Sequence, residues 1–134
     1  GGGNMACKQD RRVRVGRRGE EIAANFLSGH GHTVLAKNWR SGHLEIDIVT
    51  MAADGIHFVE VKSRVFPMAA EPEASVGYAK RKNISAAAAR WIRESGMQDV
   101  EYRFDVVSVV FDGGEYRVDY FPEAFYPVSG GGFL

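Results

Sequence analysis

Two runs of alternating residues, joined by one turn signal, constrain this chain more than any other feature. Residues 44–50 read Leu-Glu-Ile-Asp-Ile-Val-Thr, and residues 56–64 read Ile-His-Phe-Val-Glu-Val-Lys-Ser-Arg. Period two is the pattern of half-buried strands. Asp54-Gly55 favours a hairpin between them, with Met51, Ala52 and Ala53 lengthening its loop. Side chains in a regular strand alternate between faces. Glu45 and Asp47 are therefore expected on one face, with Ile46 and Ile48 on the other. In the second run Glu60 and Lys62 share a face with Phe58 and Arg64, while Val59 and Val61 point away. Acids and a lysine then converge on one side of a hairpin whose other side is apolar.

Charges on half-buried strands need partners, because desolvating an unpaired ion costs several kcal/mol. The plain reading is a cross-strand ion pair between Asp47 and Lys62. Glu45, Asp47 and Glu60 around one lysine do not balance, however. A divalent cation would neutralise the surplus, and hard carboxylate oxygens suit Mg²⁺ or Mn²⁺.

The same residues carry a resemblance. Asp47, twelve intervening residues and then Glu60-Val61-Lys62 resemble the active-site pattern of the PD-(D/E)XK nuclease superfamily. Gly16-Arg17-Arg18-Gly19-Glu20, Glu45-Ile46-Asp47-Ile48-Val49 and Phe58-Val59-Glu60-Val61-Lys62-Ser63-Arg64 together resemble the YraN-type family of small, endonuclease-like bacterial proteins. The likeness runs from about Val13 to Phe125. Ile46 stands where the superfamily carries a proline before the aspartate, and Leu44 stands where the family usually has glycine. Neither departure removes a ligand.

The resemblance implies a three-layer, restriction-endonuclease-like α/β fold, with an αβββαβ core and an added C-terminal strand. It implies Mg²⁺ or Mn²⁺ as cofactor, held by Asp47, Glu60 and the Val61 backbone carbonyl. Glu45 or Glu20 would serve a second ion or an outer water, since a glutamate on the first helix faces the metal in archaeal Holliday-junction resolvases. Lys62 would contact the attacking water or a phosphate oxygen. Arg64, Lys80, Arg17 and Arg18 would hold flanking phosphates.

At 134 residues, the chain is one domain with room for a real core. It contains 45% hydrophobic and 25% charged residues, ordinary for a globular protein. Cys7 is the only cysteine, which excludes an intrachain disulfide and a cysteine-rich zinc site. No stretch reads as a signal peptide or a membrane span, so the cytoplasm is the default location and no membrane partner is expected. Gly1-Gly2-Gly3-Asn4 reads as an expression remnant ahead of a start at Met5. Residues 1–12 are expected as a flexible terminus, 13–128 as a single nuclease-like domain and 129–134 as a tail.

Net charge is zero, but its distribution is uneven. Segment 8–18 holds six basic residues against Asp10, and segment 80–93 holds five with no acid. From Asp99 onward seven acids face two arginines. That asymmetry allows a basic face on a neutral protein; solvated charge runs are the alternative.

Helical periodicity predicts a first helix over 14–27, with Glu20 on a stripe of small and apolar residues. A first strand is predicted over 32–39. His30 and His32 read as loop histidines, and His43 as an outer-shell donor to phosphate or water. Segment 65–75, with Pro67 and Pro72, is expected as a loop bordering the site. Ser75 is the expected cap of a second helix running to Ser95 and ended by Gly96. Its core face is Ile84, Ala87, Ala88, Trp91 and Ile92, with Lys80 one turn earlier on the same side. A valine-rich central strand over 102–111 carries Asp105, whose expected partner is an arginine. A last strand over 116–121 ends at Pro122.

The functional expectation is a metal-dependent nuclease acting on nucleic acid, DNA ahead of RNA, with branched or structured substrates and a homo-oligomer left open. Two alternatives stand beside it. One is a nucleic-acid-binding module without useful turnover. The other is a protein-interaction domain whose acids form a structural ion-pair cluster.

Overall fold

A computed structural model describes residues 3–67 and 72–128. The expected tail and the middle of the 65–75 loop lie outside the described residues. The elements run α1 (Gly3–Ser28), β1 (Thr33–Ser41), β2 (Leu44–Ala52), β3 (Gly55–Val65), α2 (Tyr78–Ser95), β4 (Tyr102–Asp112) and β5 (Glu115–Phe125). The five strands form one sheet in the order β1-β2-β3-β4-β5. Only β3 and β4 are parallel, and α2 supplies the crossover such a pair requires.

Phe58 and Val59, adjacent on β3, are both buried but in different cores. Phe58 packs with Ile84, Ala88 and Trp91 of α2, whereas Val59 packs with Ile22, Ala23 and Leu27 of α1. The two helices therefore cover opposite faces, giving a mixed α/β domain of three layers. Central β4 is buried without interruption from Phe104 to Val110, as a strand covered on both sides must be. No helix among the described residues is long and apolar enough to cross a membrane.

Several boundaries differ from the sequence expectations. Helix α1 begins at Gly3 rather than near Arg14. Residues 9–14 are exposed, so no apolar stripe marks them, although glutamine and arginine are good helix formers. Helix α2 begins at Tyr78 behind Gly77, with no side-chain cap. Ser75, expected in that role, donates to Glu73 Oε1 instead. Gly96 ends α2 as expected, with φ of 75° and its N–H on the Ile92 carbonyl.

Strand β5 continues past Pro122 because it is an edge strand and bulges there. Phe104 pairs with Phe125 and Val106 with Phe121, so Pro122, Glu123 and Ala124 all face Asp105. Glu123 sits at φ 49° within the bulge. Asp105 is fully buried, and its partner is not the expected arginine. Its Oδ1 accepts the Glu123 N–H at 2.9 Å; its Oδ2 lies 2.5 Å from both the Tyr120 hydroxyl and His57 Nδ1. His57 Nε2 lies 2.7 Å from Asp54 Oδ1. Burial alone would lower the His57 pKa, but the two carboxylates outweigh it and the net direction is upward. This network ties the closed end of the β2–β3 hairpin to the β5 bulge, and register explains it: Asp105 lies opposite Val59, one side-chain step along the same face from His57.

Helix α1 approaches β3 closely at Gly19. A Cβ built there would lie 1.8 Å from Ser63 Oγ and 2.9 Å from Ser63 Cβ, whereas one at Gly16 would meet nothing within 4 Å. The two glycines thus make opposite predictions. Gly16→Ala should stabilise the fold by about 0.5–1 kcal/mol through helix propensity. Gly19→Ala should destabilise it, because an overpacking cost of about 1–3 kcal/mol opposes the same gain. Urea unfolding of the two variants checks this, and equal shifts would contradict the close approach.

Candidate active site

The site begins where the β2–β3 ladder stops. Pairing runs from Ala52 opposite Gly55 to Ile48 opposite Val59, and no further. Beyond that point β2 stays paired with β1 as far as Leu44, while β3 stays paired with β4 as far as Val65. The sheet opens into a fork. At its apex the Val61 N–H donates to Asp47 Oδ2 at 2.8 Å. A buried amide needs an acceptor, and the aspartate side chain supplies the one the parted strand no longer offers.

The pleat breaks at the same place. Ile46 packs in the core under α2 and Ile48 in the core under α1, so the expectation that they share a face is overturned. Asn38, at φ 52°, lies between Lys37 and Trp39, whose partners Ile48 and Ile46 flank Asp47. Asparagine tolerates that left-handed backbone better than most residues. Its side chain lies near enough to Glu20 to lower that carboxylate's pKa against the effect of burial, linking α1 to the fork.

Acids collect here. Glu60, with its side chain 12% exposed, lies beside Asp47. Burial and then the Asp47 charge push the Glu60 pKa up to about 8. Burial also raises Asp47, against the Val61 N–H and the Lys80 charge, which lower it. Each carboxylate disfavours ionisation of the other, so the pair favours holding one proton between them. Glu20 is raised by burial and by the Asp47 charge. Lys80 Nζ stands 3.6 Å from Glu60 Oε1 and 3.9 Å from Glu45 Oε1, and Arg40 Nε stands 3.3 Å from Glu45 Oε2.

The plain Asp47–Lys62 ion pair is not formed. Lys62 Nζ donates to the Ser75 carbonyl and lies 3.6 Å from Glu73 Oε1, so α2 supplies the cation at the acids through Lys80. Arg64 is exposed and lines, with Glu20 and Val61, a groove between α1 and β3. Arg17 borders a second groove with Glu20 and Lys37. Arg18 lies in a third, with Phe26 and Val118, apart from the acids. His43 contributes its carbonyl, which accepts from Asn83 Nδ2 of α2. Asn83 Oδ1 in turn accepts the Glu45 N–H, so one side chain of α2 pins the start of β2. Asn38, Arg40, Asn83 and Glu73 escaped the sequence reading. Arg40 alone had a signal there: the turn at Gly42 places it opposite Glu45.

Among the described residues no group of three or more His, Cys, Asp or Glu converges closely enough to hold a metal ion. The Asp47–Glu60 pair nevertheless fits Mg²⁺, which commonly takes one or two carboxylates and keeps several waters. Two adjacent half-buried carboxylates that disfavour each other's ionisation are a donor set whose repulsion a divalent cation would relieve.

A model of the uncharacterised protein family UPF0102 matches residues 19–109. A UPF0102 protein of Bacteroides thetaiotaomicron is 38% identical over 113 residues, covering 84% of this chain and 93% of its own. One of Anaeromyxobacter dehalogenans is 40% identical over 116 residues, 87% of each chain. One of Geobacter metallireducens is 36% identical, covering 83% of this chain and 91% of its own.

The shared proton makes a pH prediction for the metal-free protein. An unfolded glutamate loses its proton near pH 4.5, whereas Glu60 in the fold keeps its own to about 8. Across that window the folded state binds the extra proton, so stability should fall as pH rises. Glu60→Gln should flatten the fall. Urea midpoints in chelator from pH 5 to 9 measure it; a wild type that gains stability over this range would contradict the shared proton.

Proposed function

The chain belongs to the uncharacterised protein family UPF0102, and from the geometry of its fork we propose that it is a metal-dependent nuclease of the PD-(D/E)XK type. The observation that carries the reading is the half-buried carboxylate pair Asp47 and Glu60 at a fork in the sheet, with Lys62 two residues beyond Glu60 on the same strand. The order α1, three strands, α2 and a strand parallel to β3 supports the restriction-endonuclease-like fold.

Asp47, Glu60 and the Val61 carbonyl would hold Mg²⁺ or Mn²⁺, with Glu20 and Glu45 near enough to influence the site electrostatically. The bound ion would supply Lewis acidity and a water of lowered pKa for phosphodiester hydrolysis. The chain's own residues do the rest. Asp47 is fixed by the Val61 amide and cannot swing away without orphaning that N–H. Glu60 would have to be ionised to hold a cation. Lys80 offsets the acids and reaches from α2 toward an incoming phosphate. Lys62, on the same strand as Glu60, would stabilise charge developing on the phosphate. To do so it must leave Glu73 and Ser75.

That last requirement favours one second reading, a nucleic-acid-binding module without turnover. Labelled linear, flapped and four-way DNA and RNA substrates, incubated with Mg²⁺, Mn²⁺ or chelator, separate the two. The nuclease reading predicts metal-dependent cleavage that falls by about a hundredfold or more in Asp47→Asn and Lys62→Ala. It also predicts that Mn²⁺ raises the melting temperature of the wild type and not of Asp47→Asn, since only a ligand bound to the folded state stabilises it. Binding without cleavage in either metal would establish the second reading.

A further inference from the structure

We infer that the 72–77 segment fills an anion seat at Lys62 with the chain's own Glu73, so that an incoming phosphate must displace this carboxylate to reach the fork. That the phosphate belongs to nucleic acid rests on the nuclease reading above; the seat and its occupant do not. Strand β3 pairs with β4 without a register shift, so Glu60 and Lys62 point to one face. An ammonium there would meet a phosphate brought to the acids. The Lys62 Nζ instead donates to the Ser75 carbonyl and stands 3.6 Å from Glu73 Oε1. Both partners come from the single stretch that joins β3 to α2.

The pairing is lopsided. The Lys62 side chain is 14% exposed, whereas that of Glu73 is 57% exposed. A covered lysine has a partner that stands in water. The Ser75 hydroxyl donates to the same Glu73 Oε1 at 2.7 Å, so a hydroxyl and an ammonium converge on one carboxylate oxygen. The hydroxyl and then the Lys62 charge, with a smaller share from Arg64, hold the Glu73 carboxylate below its ordinary pKa range. A phosphate oxygen asks for the same donors, hydroxyl and cation, that this carboxylate oxygen has found.

Little holds the occupant in place. Val76 packs against the core under α2 and anchors the segment at that end. Among the described residues no backbone–backbone hydrogen bond secures residues 72–76. Glu73 and Ser75 are both exposed, and an ion pair with an exposed partner contributes little to stability. Exchange is also neutral in charge, because a phosphodiester carries one negative charge, as a carboxylate does. Once displaced, Glu73 remains a like charge beside the phosphate, so its removal should favour binding twice: it empties the seat and ends the repulsion. Lys80 differs, since its partners are Glu45 and Glu60 of the site itself.

Two measurements on the full chain, both in chelator so that nothing is cleaved, test this. The first is the rate at which an amine-reactive ester labels Lys62, read by mass spectrometry against the exposed Lys82. Lys62 should label more slowly than Lys82 in the wild type, and Glu73→Gln should speed it by about threefold or more, as for loss of a partly exposed pair. Inorganic pyrophosphate should slow Lys62 labelling again in Glu73→Gln, and less in the wild type. The second is fluorescence anisotropy with a labelled DNA oligonucleotide. Glu73→Gln should tighten binding by about threefold, again the scale of one exposed pair. Glu94→Gln, which removes an equal charge from the exposed far end of α2, should not. In a Lys62→Gln background Glu73→Gln should change little, because the contact it breaks is already gone. Lys62 labelled as fast as Lys82 in the wild type, or no protection by pyrophosphate in Glu73→Gln, would overturn the inference. So would equal tightening by Glu94→Gln, or equal tightening with and without Lys62. If the labelling results hold and no variant binds the oligonucleotide, the seat assignment stands and the nuclease reading falls.

Discussion

The hydrogen bond from the Val61 amide to Asp47 is the point on which the rest of the site depends. It lets β2 and β3 part without leaving a buried N–H unsatisfied. Parting opens the sheet on the side of the acids, while β3 remains anchored to β4 for its whole length. The break in pleat at the same residue then sends Ile46 and Ile48 into different cores. Each isoleucine is buried, and that burial, at about 1.5–3 kcal/mol per side chain, holds open a fork that its charges would not sustain.

Charge at the fork works against stability. Burying Glu60 beside Asp47 raises the pKa of both, and Lys80 and Arg40 offset the charge only from partly exposed positions. Removing one partner from such a buried cluster is costly, yet the cluster itself contributes little to folding. Under the proposed function, the cluster is a place where a cation would relieve the repulsion between the acids. Both helices serve it: Gly19 brings α1 against Ser63 and so carries Glu20 inward, and α2 delivers Lys80 and the Asn83 clamp.

The alternating runs at 44–50 and 56–64 made the hairpin legible in the sequence, and helical spacing made the core face of α2 legible. The surplus of carboxylates on two half-buried strands made Asp47 and Glu60 legible as neighbours, whereas Glu45, expected with them, is taken by Arg40 and Lys80. What escaped was decided at a distance. Lys62 looks like the natural partner of Asp47 from strand register, but the 72–77 segment takes it. Asp105 looks like an arginine's partner until the β3–β4 register sets it beside His57. Asn38 gives no sign in sequence, since its role depends on a positive φ. The early start of α1 is hidden because residues 9–14 bury nothing, and periodicity reports only burial.

The central claim is that Asp47 and Glu60 hold one proton in the absence of metal and exchange it for a divalent cation. Calorimetric titration with Mn²⁺ near pH 7, in two buffers of different ionisation enthalpy, counts protons directly, because metal binding requires deprotonated ligands. The account predicts saturable binding that releases about one proton per ion in the wild type, and binding weakened without that release in Glu60→Gln. Absence of saturable Mn²⁺ binding, or binding that releases no proton, would contradict it.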